Sequence, residues 1–270
     1  MDQVQLATFQ TVIDTGSFEA AARLLHVTPS AVSQRIKALE RSVGQVLVRR
    51  AKPCTATPAG ETLVRFAGQV ALLEREALDQ ARDGTRVSIV VNADSLQTWF
   101  LPALAEVPGP LFELHTDDQD YTADLLRSGT AMAAVTSQHV AVQGCRLEKL
   151  GAMRYLAVGR PGITVADPMI LYNRKDQLQH RFLAAVRQPD PPVHYVPAAA
   201  AFVEAIRLGL GWGMVPEQIA AKDIADRRYV QIFPGETLDV PLYWQYWKIE
   251  SSVLETLTAA VKAAAAQALR

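Results

Sequence analysis

The chain has 270 residues, of which 49% are hydrophobic and 20% are charged, and its formal net charge is −1. This composition is typical of a globular protein with two or three compact units, and it excludes a disordered or collagen-like chain. No stretch approaches the roughly eighteen uninterrupted apolar residues of a membrane span, and the first residues lack the regions of a secretory signal. We therefore expect a cytoplasmic protein with no membrane partner.

Cysteines and histidines show no spacing that is typical of catalysis or metal binding. Cys54 and Cys145 lie far apart, the five histidines are scattered, and neither a glycine-rich phosphate loop nor a GxSxG motif occurs. The expectation is that the protein is not an enzyme and holds no metal and no cofactor. A redox-sensing role for the two thiols is an alternative.

The small net charge hides a basic N-terminal part. Residues 1–60 contain seven Lys and Arg against four Asp and Glu, which leaves the rest of the chain mildly acidic. This asymmetry favours a protein whose phosphate contacts are confined to one small module.

Two helices are predicted at the start of this basic part. Residues 3–14 place apolar side chains at helical spacings, and Gly16 ends the first helix. Ser17 is a predicted N-cap for FEAAARLL (18–25), whose alanines allow a neighbouring helix to pack closely. This second segment is the predicted first helix of a helix-turn-helix.

A third helix is predicted to begin at Thr28 and Pro29, an N-cap hydroxyl followed by proline at the first helical position. Val32, Ile36 and Leu39 fall on one face, whereas short polar and basic side chains occupy the other. Such side chains read base edges and hold phosphates in the major groove of double-stranded DNA. A face that meets only solvent is the alternative, but the tight turn, the hairpin that follows and the positive charge favour DNA. The predicted DNA-binding residues of this helix are Thr28, Pro29, Ser30, Ser33, Gln34, Arg35 and Lys37.

The next segments are a predicted wing and a long helix. Residues 46–57 read as a short hairpin with Arg49, Arg50 and Lys52 near its tip, where basic residues hold phosphate more often than they read bases. Thr57 and Pro58 open a helix over 58–84 whose apolar residues form one stripe. The stripe comprises Leu63, Phe66, Val70, Leu73 and Ala77. We expect this stripe to pair with a second chain as a dimer arm, with packing on the protein's own body as the alternative.

After Gly84 the pattern alternates between short strands and helices, which predicts a largely parallel sheet covered by helices. We predict two lobes, with lobe I over 85–159 and 235–270 and lobe II over 160–234, and a cleft that closes on a small molecule. The expected fold class is therefore α/β with an N-terminal winged helix-turn-helix (1–57), a linker helix (58–84) and a two-lobed effector domain (85–270). Such a domain resembles periplasmic solute-binding proteins, and a solute-binding protein is the rival class that the basic N-terminal part disfavours.

The run SFEAAARLLHVTPSAVSQRIKALERSVGQVLVRR (17–50) closely resembles the helix-turn-helix of LysR-type transcriptional regulators. VNADSLQTWFLPAL (91–104), CRLEKLGAMRYLAV (145–158), GLGWGMVPE (209–217) and PLYWQYWKIES (241–251) resemble the arginine/lysine-responsive ArgP/LysG branch of that family. The resemblance implies a cytoplasmic activator, a homodimer or homotetramer, that binds operator DNA and RNA polymerase and responds to lysine or arginine. It also implies control of an amino-acid exporter or biosynthesis gene. A different small-molecule or redox signal is the alternative within the same family.

Candidate effector-binding residues lie at predicted strand ends. Ser95 opens a helix directly after a strand, where its hydroxyl and the helix amides could accept an α-carboxylate, and Thr136 resembles a second pocket-lining position of the family. A cationic side chain needs carboxylates, which HTDDQDYT (115–122) and Asp176 supply, although acids at such places are commonly loop or cap residues. The branch commonly has a glutamate where this chain has Ala200, and its loss is expected to weaken binding or change the ligand. The predicted effector site comprises Ser95, Thr98, Asp117, Asp118, Asp120, Thr136 and Asp176.

Overall fold

The computed structural model describes residues 2–79, 86–116 and 122–270. Three helices and a short hairpin form the N-terminal module. The side-chain oxygens of Ser17 and Thr28 accept hydrogen bonds from the amides of Ala20 (3.3 Å) and Ala31 (3.2 Å), so each of these polar residues begins its helix as expected. The helices enclose an apolar core around the fully buried Phe9. The elements are α1 (Gln3–Thr15), α2 (Phe18–Leu24), α3 (Pro29–Val43), β1 (Val48–Arg49) and β2 (Thr55–Ala56).

The wing is fixed to both of its neighbouring helices. A carboxylate oxygen of Glu40 on α3 accepts a hydrogen bond from the amide of Leu47 (2.9 Å) at the start of the hairpin. At its other end the Thr57 hydroxyl accepts from the amide of Gly60 (3.1 Å) and donates to the carbonyl of Val46 (2.7 Å). Thr57 therefore both caps the long helix α4 (Pro58–Asp79) and ties it to the wing.

The long helix α4 has two apolar faces with different surroundings. Leu72 is fully buried in the core of the effector domain, and the absent side chain of Gly68 leaves room for the Trp247 ring, which would lie 2.8 Å from a Cβ there. On the other face Phe66 and Leu73 are 41% and 40% exposed. Packing on the protein's own body thus holds for one face. Of the predicted stripe, Phe66 and Leu73 are left exposed, while Leu63 packs on the core of the N-terminal module.

Short strands and helices alternate through the effector domain. Residues 93–105 are helical throughout, with a wider π turn at Leu96–Phe100 between two α segments. The strands are β3 (Arg86–Val90), β4 (Leu111–His115), β5 (Ala133–Thr136), β6 (Cys145–Gly159), β7 (Met169–Leu171), β8 (Val193–Tyr195), β9 (Trp212–Pro216), β10 (Val230–Gln231) and β11 (Leu238–Trp247). The helices are α5 (Ala93–Ser95), α6 (Leu101–Ala105), α7 (Thr122–Arg127), α8 (Leu178–Ala185), α9 (Ala199–Leu208), α10 (Glu217–Ala225) and α11 (Ser252–Ala268).

One sheet of nine strands, counted over the described residues, runs through both lobes in the order β4-β3-β5-β11-β6-β9-β7-β8, with β10 beside β6. Pairing is parallel within each lobe, between β3 and its neighbours and between β7 and its neighbours. It is antiparallel around β6 and β11. The prediction of a largely parallel sheet is therefore wrong at the centre, because two long strands cross between the lobes in opposite directions.

The expected fold class, an N-terminal winged helix-turn-helix followed by a linker helix and a two-lobed α/β domain, is confirmed. Tyr155 marks the place where β6 passes between the lobes, because it pairs with Leu238 on one side and with Pro216 on the other. Among the helices that the structure describes, none is both long and apolar enough to cross a membrane.

Candidate functional site

The outer face of α3 is polar and open to solvent. Val32, Ile36 and Leu39 are fully buried against the rest of the module, so the opposite side chains must point outward. Ser33 is half-buried, and the Thr28 hydroxyl lies 3.3 Å from that of Ser30. The exposed residues of this face and its first turn are Thr28, Pro29, Ser30, Gln34 and Lys37. They form one continuous surface with the donor and acceptor types that base edges and phosphates require.

Arg35 differs from the other candidates on α3. Its side chain is half-buried, and its Nη1 donates a hydrogen bond to the Thr8 hydroxyl on α1 (3.3 Å). In this position the guanidinium holds α3 against α1 at the edge of the polar face. Its part in DNA binding stays a prediction.

The wing carries three exposed cations, Arg49, Arg50 and Lys52. The guanidinium carbon of Arg50 lies 5.0 Å from the centre of the Phe18 ring at the start of α2, a cation–π contact that orients this side chain beside the helix-turn-helix. Exposed cations in this position suit contacts to phosphates beside a groove, and their part in DNA binding stays a prediction.

A cavity of about 430 Å³ lies between the two lobes, a size that suits one amino acid. Lobe I contributes the residues after β3 and β5, including Asn92, Asp94 and Ser137. Lobe II contributes the segment from Tyr172 to Arg181 and part of α9. The crossing strand β6 closes the cavity with Tyr155, so the cavity lies at the strand ends and at the crossing of the lobes, as expected for this kind of sheet.

Asp94 is the acid that the described residues of lobe I present to this cavity. The Tyr155 hydroxyl donates a hydrogen bond to its Oδ2 (2.7 Å), and among the described residues no cationic side chain forms an ion pair with it. Burial raises the pKa of Asp94 to about 6, and the charge of Asp176 adds to this rise. A carboxylate in this situation is stabilised by any cation that enters the cavity.

Asp176, one of the predicted effector-binding residues, also lines the cavity. Its carboxylate accepts hydrogen bonds from the amides of Tyr172 and Leu178, each at 3.0 Å, which shapes the loop between β7 and α8. Asp176 therefore forms the hydrogen bonds of a loop residue, as the alternative interpretation expects, and it also lines the cavity. Two cations, Lys175 and Arg181, lie on the same lobe II wall.

Two amide oxygens in the cavity wall are buried without a hydrogen-bond partner among the described residues. They are Oδ1 of Asn92 and Oε1 of Gln179. The Nε2 of Gln179 donates to the carbonyl of Ile170 (2.9 Å), which holds the amide in place. Buried acceptors without donors are uncommon in native proteins, and here they point to a ligand that donates hydrogen bonds.

Three predicted effector residues lie outside the lining of this cavity. Ser95 is fully buried, with its hydroxyl unpartnered within the described chain. The Thr98 hydroxyl donates to the carbonyl of Asp94 (2.6 Å), and the Thr136 hydroxyl accepts from the amide of Gln138 (3.1 Å). Asp94 and Ser137, the sequence neighbours of Ser95 and Thr136, line the cavity instead, because successive residues of a helix or strand end point in different directions.

The acids Asp117, Asp118 and Asp120 lie outside the described residues. Ala200 is exposed and lies outside the cavity lining, whereas its neighbour Ala199 lines the cavity. The expected effect of Ala200 on effector binding stays a prediction. Sequence reasoning missed Asp94, although it directly precedes Ser95 at the end of a buried strand. Tyr155, Asn92 and Gln179 carried no comparable signal.

The two cysteines are free and half-buried. Burial raises the pKa of the Cys145 thiol to about 11, so this thiol stays protonated and poorly reactive at neutral pH. No group of three or more side chains arranged for a metal ion occurs in the described ranges.

Comparisons with known proteins agree with this architecture. Residues 4–61 match the "Bacterial regulatory helix-turn-helix protein, lysR family", and residues 80–267 match the "LysR substrate binding domain". The HTH-type transcriptional regulator LysG of Mycobacterium tuberculosis is 48% identical over 285 residues, covering 98% of this chain and 94% of the relative.

Solved structures of related regulators cover all of this chain. The crystal structure of ArgP from Mycobacterium tuberculosis superposes with a TM-score of 0.92 at 47% identity and is covered to 99%. Full-length LysG from Corynebacterium glutamicum with bound effector Arg superposes with a TM-score of 0.86 at 41% identity and is covered to 100%. The family model matches and these relatives span both the DNA-binding module and the effector domain, so the chain belongs to the LysR family of bacterial helix-turn-helix transcription regulators.

Proposed function

We propose that this transcription regulator responds to a basic amino acid, lysine or arginine, bound in the cavity between its lobes. The observation that carries the proposal is Asp94, a carboxylate at the cavity wall that accepts one hydrogen bond, from Tyr155, and forms no ion pair within the described residues. The bound Arg in the related LysG structure supports the same ligand class.

The charges of the cavity wall suit all three ionic groups of such a ligand. Asp94 and Asp176 supply negative charge for the side-chain cation and the α-ammonium group. Lys175 and Arg181 supply positive charge for the α-carboxylate. A neutral or acidic amino acid would leave one of the two carboxylates without a cationic partner, which is unfavourable in a partly buried site.

Calorimetric titration of the full-length protein with L-lysine, L-arginine and L-glutamate tests the proposal. We expect heat with at least one of the basic amino acids and none with glutamate, and a loss of at least about tenfold in affinity for the Asp94→Asn variant. The matched control is Asp124→Asn, which changes an exposed acid on α7 and is expected to bind normally. Unchanged affinity in Asp94→Asn would exclude this cavity as the effector site.

The DNA-binding part of the proposal rests on α3 and the wing. Gln34 and its neighbours on α3 read an operator, while Arg49, Arg50 and Lys52 hold its phosphates. The exposed face of α4 around Phe66 and Leu73 pairs two chains into a homodimer. Contacts between effector domains then assemble two homodimers into a tetramer. The regulator then acts in the cytoplasm on RNA polymerase at a gene for amino-acid export or biosynthesis.

A further inference from the structure

We propose that the cavity selects a guanidinium over an ammonium group, so that arginine is the preferred effector, and that Asn92 and Gln179 confer this selectivity. The inference rests on the proposed function, because it concerns the same cavity and the same class of ligand. It assigns the choice between the two basic amino acids to particular side chains.

The first step is the state of the two amides without a ligand. Asn92 is 8% exposed and Gln179 is 1% exposed, and the side-chain oxygen of each lacks a hydrogen-bond donor within the described residues. A buried acceptor without a donor has lost its hydrogen bonds to water and forms none within the protein, which lowers the stability of the folded state. A ligand that donates to both oxygens removes this penalty, and a ligand that reaches neither leaves it in place.

The second step is that Gln179 cannot easily turn its oxygen elsewhere. Its Nε2 donates to the carbonyl of Ile170 in β7 (2.9 Å), and exchanging the two ends of the amide would set oxygen against oxygen. Asn92 lies at the end of β3, where its own carbonyl accepts the amide of Leu96 and begins the helical segment. Both acceptors are therefore parts of rigid elements.

The third step is the number and spread of the acceptors. Asp94 and Asn92 belong to lobe I, whereas Gln179 belongs to lobe II. A guanidinium presents five N–H donors in a plane, whereas an ammonium presents three donors from one atom. A planar, wide donor group can serve a carboxylate and two separated amide oxygens together, and it also stacks on aromatic side chains such as the wall residue Phe202.

Titrating the full-length protein with L-arginine, L-lysine and L-citrulline tests the inference. We expect arginine to bind at least about tenfold more tightly than lysine, since unsatisfied buried groups discriminate strongly between ligands. Citrulline, which has a similar shape without the charge, should bind far more weakly than either because it leaves Asp94 unpaired. The ratio of lysine to arginine dissociation constants is the quantity that matters.

Gln179→Met and Asn92→Ala are the diagnostic variants. Each is expected to weaken arginine binding by about tenfold and lysine binding by less than threefold, which lowers the ratio. The matched control is Gln177→Met, because Gln177 also lines the cavity but is exposed, and it should leave the ratio unchanged. Because Gln179 also holds Ile170, thermal melting of each variant must show a folded protein, and Asn92→Ala tests the same idea without that contact.

The outcomes separate the two proposals. Equal affinity of the unaltered protein for arginine and lysine, or an equal loss for both ligands in both variants, overturns the selectivity and leaves the proposed function standing. No binding of either basic amino acid overturns the proposed function and the selectivity with it.

Discussion

The surroundings of the Asp94 carboxyl group favour its neutral form, since burial raises its pKa to about 6 from the ordinary 3.8. The folded protein therefore holds a proton at this group more tightly than the unfolded chain does. The resulting stabilisation is fully present below about pH 4 and is lost as the pH rises through about 6. Above that pH the ionised carboxylate lowers the stability of the effector-free protein, and its negative charge favours the binding of a cation in the cavity.

We predict that Asp94→Asn stabilises the effector-free protein at pH 7.5 by about 1 to 2 kcal/mol, because the amide keeps the hydrogen bond from Tyr155 without the buried charge. The gain should disappear towards pH 4. Urea denaturation at both pH values measures it, with Asp124→Asn as the control for an exposed acid. A variant less stable than the parent protein at pH 7.5 would contradict the argument.

Gln34 and Arg50 are expected to contribute to DNA binding in different ways. Gln34→Ala should lower affinity for the operator by about tenfold and leave affinity for a scrambled duplex unchanged, because glutamine reads a base edge. Arg50→Ala should weaken binding to both duplexes and reduce the slope of log affinity against log salt by about 1, because arginine at the wing holds phosphate. Fluorescence anisotropy over a salt series measures both effects. Equal losses on both duplexes for Gln34→Ala would remove it from the recognition surface.

At the scale of elements, α4 divides its apolar residues between two tasks. Gly68 and Leu72 face the protein's own effector domain, where Leu72 is almost fully buried. Phe66 and Leu73 stay about two-fifths exposed on the other face. Apolar residues repeated along an uncovered helix face are characteristic of a helix that pairs with another helix.

We therefore predict that Phe66→Asp converts the assembled protein to a smaller species without a large loss of monomer stability. Leu72→Ala should instead lower the free energy of unfolding by about 2 to 4 kcal/mol, as deletion of a buried leucine side chain does, and leave the assembly intact. Light scattering after gel filtration and urea denaturation separate the two effects. The division of faces would be wrong if Phe66→Asp kept its mass and Leu72→Ala lost it.

At the scale of the whole molecule, the effector domain is one curled sheet with two lobes joined by the strands β6 and β11. The cavity lies at this junction, so a ligand that contacts Asp94 of lobe I and Gln179 of lobe II holds the lobes in one relative position. The fully buried Leu72 connects α4 with the same domain, and α4 is tied to the wing through Thr57. Contacts thus run without interruption from the cavity to the DNA-binding module, a route by which two states of the lobes would bias the module.

Interactions between residues close in sequence explain the features that could be predicted from the sequence alone. The caps at Ser17 and Thr28, the periodic core face of α3, the wing and the alternation of strands and helices all depend on residues a few positions apart, and all are present in the structure. The basic N-terminal part and the family resemblance indicated the DNA-binding class for the same reason, because both lie in short continuous segments.

Features that depend on residues far apart in sequence became visible only in the folded chain. Asp94 meets Tyr155 across 61 positions of sequence, and only the crossing of β6 between the lobes brings them together. Whether a side chain at a strand end reaches the cavity depends on the last turn of backbone, so Ser95 and Thr136 are buried outside the lining while Asp94 and Ser137 line the cavity. Residue type and spacing predicted a cavity for a cation at these strand ends, whereas long-range packing determines which side chains line it.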